Sequence, residues 1–253
     1  MINTTAIYVL WLREMKRFLR AKSRVIGTLA MPLFFLAFLG LGFGNMNIPG
    51  MAGVDYIHFL VPGIVGTTML FTSMFTGISV LWDREFGFLK EIMVAPVNRI
   101  SIVIGRIVGG ATTSIFQGIL ILGISILMGF KIAGISAFLL SVIFMLLISS
   151  TFIGLGLIFA SKMKDMQGFS LIMNFVIFPL FFLSGALFPL ENLPVWIRYI
   201  SYIDPLTYGV DGLRGALIGV SSFSVLFNLA VLMGFSAVMI FLGAYFFEKS
   251  ESI

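Results

Sequence analysis

Six apolar runs, each long enough to cross a bilayer as a helix, constrain this chain more than any other feature. They occupy roughly residues 24–44, 58–82, 107–130, 136–160, 168–188 and 224–247. A helix needs about 20 residues to cross the hydrocarbon core, and helices satisfy their own backbone polar groups within lipid. The sequence therefore predicts an all-α polytopic membrane protein with six transmembrane helices, forming a single membrane domain over residues 1–253.

The composition excludes several other classes of protein. Charged residues make up 11% of the chain and hydrophobic residues 59%, whereas a soluble domain carries about 25% charged residues. There is no cysteine, which excludes disulfides and thiolate metal sites, and the single histidine, His58, excludes a histidine-cluster metal site. The N-terminus is basic and amphipathic before its apolar run, unlike a cleavable signal peptide.

The positions of lysine and arginine predict which way the chain is oriented. With the N-terminus inside, thirteen of the 16 Lys and Arg residues fall on inner segments, and only Lys131, Arg198 and Arg214 fall on outer ones. Cytoplasmic connections of multi-pass proteins carry the excess of positive charge. We therefore expect both termini and residues 83–106 to be cytoplasmic, and a net charge of +5 to reflect topology rather than nucleic-acid binding.

Residues 5–22 carry an amphipathic pattern ahead of the first span. Apolar side chains such as Trp11 and Phe18 recur on one side of a helix, and basic side chains such as Arg13 and Arg20 on the other. This pattern predicts an interfacial helix lying on the membrane surface. The alternative is a cytoplasmic extension of the first span.

A polar island, residues 83–106, separates the second and third runs. Within it Phe86, Leu89 and Met93 recur at helical spacing, and Pro96 ends the pattern because the residue before a proline is pushed out of the helical region. We interpret this segment as a short amphipathic helix that a soluble partner can grip. The alternative is a solvated loop whose charges only enforce topology.

The connection over 189–223 contains two short apolar helices, neither long enough to span. We expect Asn192 to cap the first, with Pro194 just inside it, and Asp204 to cap the second, with Pro205 at its first position. Short apolar helices at membrane depth are typical of re-entrant segments. Two amphipathic helices lying on the outer surface remain an equal alternative.

The spans lack the groups that would let the chain harvest energy itself. Every Lys, Arg, Asp and Glu lies at a span end or outside, whereas proton-coupled carriers need ionisable groups inside the bundle. Gln117, Asn174 and residues 112–114 are more typical of helix-to-helix hydrogen bonds, and the Gly105–Gly109 spacing of close helix packing. No phosphate-binding loop is present. The chain thus has a transporter's shape, and its energy is expected to come from a partner.

Two motifs make the whole chain similar to the type-2 ABC exporter permeases, with the membrane domain at about 22–250. The first motif matches the family's cytoplasmic loop at Arg84, Glu85, Gly87, Leu89, Met93, Ala95, Pro96, Val97 and Arg99, while Phe88 and Lys90 depart from it. The second motif precedes the last span and matches at Pro189, Leu193, Pro194, Pro205, Leu206, Thr207, Tyr208, Asp211 and Arg214. The chain most resembles the daunorubicin and multidrug-resistance branch, and the nodulation-factor and polysaccharide branches resemble it less.

The resemblance implies a mechanism and a set of site residues. Two permeases, as a homodimer or with a homologous permease, would each dock a separate ATPase that holds ATP and Mg, with no cofactor and no catalytic residue in this chain. The coupling helix, within a loop at 83–99, would comprise Arg84, Glu85, Phe86, Gly87, Leu89, Lys90, Glu91, Met93, Pro96 and Arg99. The connecting helix at 5–22 would offer a second ATPase contact through Trp11, Arg13, Lys16, Arg17 and Arg20. An outer gate, in the helix pair at 189–218, would involve Pro189, Pro194, Trp196, Asp204, Pro205, Tyr208, Asp211 and Arg214.

These features predict a permease in the plasma or inner membrane of a prokaryote that exports a lipophilic or amphipathic substrate, drug-like or lipid. A permease for polysaccharide or lipid-linked glycan export of the same family is the alternative substrate class. From another class, a self-sufficient channel or ion-coupled carrier would move solute without an ATPase. An intramembrane enzyme is disfavoured because the sequence offers no catalytic constellation.

Overall fold

The structure, a computed structural model, describes residues 3–43, 55–87, 97–163 and 165–250. Nine α-helices and one 3-10 turn, Leu190–Asn192, form within these ranges. The helices are α1 Thr4–Arg20, α2 Lys22–Gly42, α3 Tyr56–Glu85, α4 Arg99–Leu127, α5 Ile135–Lys162, α6 Met166–Leu183, α7 Val195–Ser201, α8 Pro205–Ile218 and α9 Val225–Ser250.

Six of these helices, α2 to α6 and α9, are long and apolar enough to cross a membrane. The predicted all-α fold with six spans is therefore confirmed. The largest boundary errors are at α4, which begins at Arg99 rather than at 107, and at α6, which ends at Leu183 rather than at 188. Helix α3 also continues to Glu85, past the predicted end at 82. The polar island is correspondingly shorter, since its first and last residues belong to the two spans beside it.

Helix α3 is the centre of the bundle. Most of its span is buried, and it packs against α2, α4, α5, α6 and α8. Small residues permit the closest approach: a Cβ added to Gly77 would lie 2.6 Å from the carbonyl oxygen of Gly156 on α5. Because lipid supplies no hydrophobic force between helices, such close backbone contact is a main source of their association.

The bundle has two distinct ends. The end of α3 lies beside the start of α4, where Arg106 bonds to Asp83, and near the end of α5, where Gly77 lies against Gly156. Lys162, the last residue of α5, sits 4.3 Å from the ring centroid of Phe246 near the end of α9. We call this the loop end. The far end carries the α4–α5 connection and the segment between α6 and α9, which are joined by a hydrogen bond from the Ala133 amide to the Leu217 carbonyl at 3.3 Å.

Helix α1 is separate from the first span. It begins at the predicted place, where the Asn3 side chain accepts a hydrogen bond from the Ala6 amide at 3.1 Å. It ends before Ala21, whose backbone is not helical (φ −88°, ψ 59°). The alternative of a continuous extension of the first span is therefore wrong. Helix α1 instead runs alongside the first half of α4, in the same direction.

The two short helices between α6 and α9 differ sharply. Nearly all of α8 is buried between α3, α5 and α9, whereas α7 is largely exposed. The Asp204 cap is confirmed, with its Oδ1 accepting from the Leu206 amide at 2.8 Å and Pro205 at the first position. The Asn192 cap was wrong, because Leu193 before the proline is extended and Pro194 itself takes the capping position.

Candidate functional site

The Asp83 carboxylate joins three helices at the loop end. It lies in the last turn of α3, and its residue is 5% exposed. Arg106 on α4 donates from Nη2 to Oδ2 at 2.8 Å. Arg13 on α1 donates from Nη1 to Oδ2 at 3.1 Å and from Nη2 to Oδ1 at 2.5 Å. We call Arg13, Asp83 and Arg106 the Asp83 cluster.

The chemistry of the Asp83 cluster requires all three partners. Arg106 is 7% exposed, and a buried guanidinium is tolerated only when it is paired and hydrogen-bonded. The planar fork of Arg13 matches both oxygens of one carboxylate, which fixes orientation as well as charge. The cluster therefore connects the end of α3 and the start of α4 to α1. The end of α3 and the start of α4 flank the segment that carries the predicted coupling helix.

Polar contacts extend the docking of α1 along α4. The backbone amide of Asn3 donates to the Ser101 hydroxyl at 2.9 Å, and the Trp11 indole N–H donates to the Thr112 hydroxyl at 3.2 Å. The ring of Phe18 meets that of Phe116 edge-on, with centroids 5.8 Å apart. The contacts advance along both helices together, which holds α1 as part of the bundle.

Two glycines on α4 make room for α1. A Cβ added to Gly105 would lie 3.0 Å from the Cβ of Leu10, and one added to Gly109 would lie 3.0 Å from the Cβ of Glu14. The Gly105–Gly109 spacing noted in the sequence therefore does mark close helix packing. Its partner is the N-terminal helix rather than another span.

The basic side chains of α1 fall into two groups. Arg13 is taken up by Asp83, and Arg17 pairs with Glu14 at 2.7 Å. Lys16 and Arg20 are exposed. Of the predicted second contact with an ATPase, Trp11 and Arg13 thus face the bundle, and Lys16 and Arg20 remain on its surface.

The described part of the polar island lies close to the Asp83 cluster. Glu85 is the last residue of α3 rather than the first of a new helix, because Gly87 adopts a left-handed conformation (φ +74°) that ends α3. The Phe86 side chain is 80% exposed. Arg84 and Arg99 occupy the last turn of α3 and the first position of α4. The remaining predicted coupling residues, Leu89, Lys90, Glu91, Met93 and Pro96, lie outside the described residues.

At the far end, the buried polar residues of α8 hold neighbouring segments in place. Asp211 accepts hydrogen bonds from the Ser222 and Phe223 amides at 2.8 and 2.9 Å and from the Asn228 amide nitrogen at 2.8 Å. These contacts fix the turn that leads into α9.

Arg214 lies deeper, 4% exposed, and connects α8 to two other elements. It donates to the Gly185 carbonyl at 3.1 Å, and its guanidinium stacks 3.9 Å from the centroid of the Phe59 ring. Burial lowers the pKa of Arg214 to about 10, against the opposing effect of nearby Asp211 and Glu191. A charged group so deeply buried has a structural task in joining α8 to α3 and to the end of α6.

The eight predicted gate residues are therefore not one surface. Pro189, Asp204, Pro205, Tyr208, Asp211 and Arg214 are buried, with the Tyr208 hydroxyl donating to the Tyr202 carbonyl at 2.8 Å. Pro194 and Trp196 are exposed, Trp196 to 66%.

Sequence reasoning missed the Asp83 cluster. Asp83 and Arg106 were counted as loop charges. Their opposite charges at the first and last positions of the island were the available sign that they could pair across its base. Asn98, whose side chain accepts from the Ile100 amide at 3.0 Å, marks the true start of α4 and was also overlooked.

Comparison with known proteins agrees with this architecture. The family described as ABC-2 type transporter matches residues 5–218. The chain is 27% identical over 236 residues to the inner membrane transport permease YadH of Escherichia coli K12, covering 91% of this chain and 90% of that protein. It is 28% identical to nodulation protein J of Rhizobium leguminosarum bv. viciae (84% and 82% covered) and 27% identical to the putative transport permease ycf38 of Cyanophora paradoxa (82% and 72% covered).

Proposed function

The chain belongs to the ABC-2 type transporter family, and from that premise we propose that it exports a lipophilic or amphipathic substrate, driven through the loop end by a separate ATPase. A permease of an ABC transporter implies such an ATPase partner. The direction of transport, the substrate class and the docking surface are our proposals.

The observation that carries the proposal is the Asp83 cluster. A docked ATPase can move the bundle only if the gripped segment is rigidly connected to the spans. Buried ion pairs at both roots of the 84–98 segment provide that connection, and α1 shares it through Arg13. The exposed ring of Phe86 stands just beyond the cluster, where an apolar groove on a partner would cover it.

We place the loop end in the cytoplasm, where ATP is available. The placement is supported by the thirteen Lys and Arg residues that fall on the segments of that side, against three on the other. Both termini are then cytoplasmic, and exposed Lys16 and Arg20 on α1 are available to a second acidic contact on the ATPase.

An aromatic cavity between α2, α3 and α6 supports a lipophilic cargo. It has a volume of about 280 Å³, opens partly to the surface of the bundle, and is lined mainly by apolar and aromatic side chains, including Phe35, Phe71, Phe178 and Phe181. The Asn174 amide and two threonines supply its polar groups. Pockets of this kind, apolar with a few polar groups, are typical of sites for small organic molecules.

In the proposed cycle two permeases, each with its ATPase, form the transporter, and ATP and Mg are held by the ATPases. ATP binding draws the ATPases together and carries the two loop segments with them. Helices α1, α3 and α4 of each permease move as a rigid unit because the Asp83 cluster holds them together. ATP biases the bundle between two conformations only through its different affinity for the two ATPase arrangements.

The docking surface is tested by isolating the ATPase with tagged permease variants. The Met93→Asp and Glu85→Ala permeases should insert into the membrane normally but fail to retain the ATPase. Met93→Asp places a charge in the apolar groove, and Glu85→Ala removes a charge that pairs with the ATPase. Phe188→Asp is the matched control, since Phe188 is a 57% exposed apolar residue at the far end. Equal recovery of the ATPase with all three variants would refute the docking of this segment.

A further inference from the structure

A second cavity lies beside the aromatic cavity, between α1, α2, α3 and α4, and encloses about 300 Å³. Thr28 and Phe75 line both cavities, so the two adjoin. The second one differs in chemistry, because Glu14, Gln117 and several threonine hydroxyls line it. We call it the polar cavity.

The Gln117 amide in this wall is left without its expected partner. Gln117 is 4% exposed, and within the described ranges its Oε1 is buried and accepts no hydrogen bond. A buried polar atom without a hydrogen-bond partner destabilises the folded protein, and such atoms are rare. Because Gln117 lines the polar cavity, rotation of its terminal amide turns Oε1 toward a ligand group there, which would supply the missing hydrogen bond.

The threonines of the polar cavity offer acceptors rather than donors. The hydroxyls of Thr72, Thr76 and Thr113 donate to helix carbonyls of their own helices at 2.7, 3.1 and 2.8 Å. A hydroxyl has one proton and two lone pairs, so what it keeps for a ligand is the capacity to accept.

The one charged side chain in this wall adds to that excess of acceptors. Glu14 supplies a carboxylate that is 20% exposed, with Oε1 accepting from Arg17 at 2.7 Å. Carboxylate, amide and hydroxyl oxygens thus line one space, where they outnumber the N–H donors of Gln117 and Trp82. The wall favours a ligand head that donates hydrogen bonds and carries positive charge.

From this juxtaposition we propose that the polar cavity binds the primary ammonium head of an amphiphile whose apolar body lies in the adjoining aromatic cavity. A primary ammonium offers three donors, which suits Gln117, Glu14 and a threonine oxygen together. The claim that this ligand is exported rests on the proposed function, whereas the claim that the permease binds it does not.

Binding is measured on the full-length permease in phosphatidylcholine nanodiscs with radiolabelled dodecylamine, corrected for empty nanodiscs. The matched probe is dodecyltrimethylammonium, which keeps the charge and the chain but has no N–H donor. We expect dodecylamine to bind about tenfold more tightly, as for a hydrogen bond between a charged and a neutral group. Equal affinity for the two probes overturns the proposal.

Variants separate a ligand contact from a structural one. Gln117→Leu should weaken dodecylamine binding about tenfold and leave the melting temperature unchanged or raised, because it removes an unpartnered amide. Gln117→Glu should tighten binding by adding a second carboxylate. Gln167→Leu, an exposed glutamine at the start of α6, is the control and should change neither quantity. A Gln117→Leu protein that melts earlier and binds dodecylamine normally shows that the amide is structural, and the proposal fails.

The same ammonium head exists on a membrane lipid and on a free amine, and the nanodiscs distinguish them. If phosphatidylethanolamine added to the disc displaces dodecylamine, the natural ligand is drawn from the lipid; if it does not, the ligand is a free amphiphile. Neither result depends on ATP. If the wild-type transporter shows no ATP-driven export, only the proposed function fails. If the permease binds dodecylamine no more tightly than dodecyltrimethylammonium, only the proposed ligand of the polar cavity fails.

Discussion

The Asp83 carboxylate at the end of α3 and the Arg106 guanidinium near the start of α4 lie 2.8 Å apart, although 23 positions separate them in the chain. The pair closes the base of the segment between the two helices, so that a force on this segment reaches both spans at once. Arg13 brings the N-terminal helix into the same unit.

Replacing Asp83 by Asn should destabilise the permease by about 3 kcal/mol, since it leaves a buried guanidinium without a counter-charge. Thermal or denaturant unfolding in detergent measures the change. Asp55→Asn is the matched control, because Asp55 is 75% exposed and 3.8 Å from His58, and should cost less than about 0.5 kcal/mol.

The double variant Asp83→Leu with Arg106→Met should recover most of the stability that Asp83→Leu alone loses. Removing both charges leaves no fully buried ion unpaired, since the Arg13 side chain is 32% exposed and can be hydrated. Apolar side chains of similar size then pack in place of Asp83 and Arg106. Additive losses in the two single variants and the double variant would mean that the residues do not interact.

The docking of α1 on α4 predicts a specific cross-link. The chain has no cysteine, so Asn3→Cys with Ser101→Cys introduces the only pair of thiols. Since the backbone amide of Asn3 donates to the Ser101 hydroxyl at 2.9 Å, the two residues are neighbours, and mild oxidation should cross-link them efficiently. Thr4→Cys with Ile119→Cys, at opposite ends of the contact, should stay reduced; efficient cross-linking of this second pair would contradict the parallel arrangement.

The packing of α3 on α5 predicts a difference between two glycines. Gly77→Val should destabilise the protein by about 1 to 3 kcal/mol or displace α5, because a Cβ there meets the Gly156 carbonyl at 2.6 Å. Gly123→Val is the control, since a Cβ at Gly123 meets nothing within 4 Å. Melting temperatures that are equal for the two variants would show that α3 and α5 are not in close contact.

Asp204 predicts a pH dependence of stability. Burial raises the pKa of its carboxyl well above the usual value of 3.8, against the hydrogen bond from the Leu206 amide, which lowers it. The folded state therefore holds its proton more tightly than the unfolded state, and stability is lost as the pH rises from 3.8 through the folded pKa. Asp204→Asn keeps the helix cap and cannot ionise.

The Asn variant should thus be more stable than the wild type at neutral pH, and the advantage should vanish as the pH falls below 4. Melting temperatures across this range measure it. An advantage that is constant with pH, or a variant less stable at neutral pH, would contradict the buried protonated carboxyl.

The sequence was enough to predict the spans and the second short helix. Apolar runs of sufficient length leave few alternatives in lipid, and Asp204 followed by Pro205 is a strong local start signal. The error at Asn192 was also local in origin: Pro194 forces Leu193 into an extended conformation, so no helix could begin before it.

The contacts between helices were out of reach of the sequence. Arg106 was assigned to a loop because an unpaired arginine inside a span is costly. Asp83 on another helix neutralises it, which lets α4 begin eight residues earlier than the hydropathy pattern indicated. Periodicity reports on one helix at a time, whereas the partner of a polar residue depends on which helices meet and at what height.

The central claim is that ATP acts on the spans through the 84–98 segment, and its most direct test is the ATP-dependent accessibility of the aromatic cavity. Thr67→Cys places a single thiol of nearly unchanged size in the wall of that cavity. Transporter reconstituted with its ATPase is exposed to a membrane-impermeant maleimide on the far-end side, with and without ATP and Mg. The account predicts that ATP raises labelling of position 67 and that Met93→Asp abolishes this increase. An undiminished ATP-driven increase in the Met93→Asp transporter would contradict it.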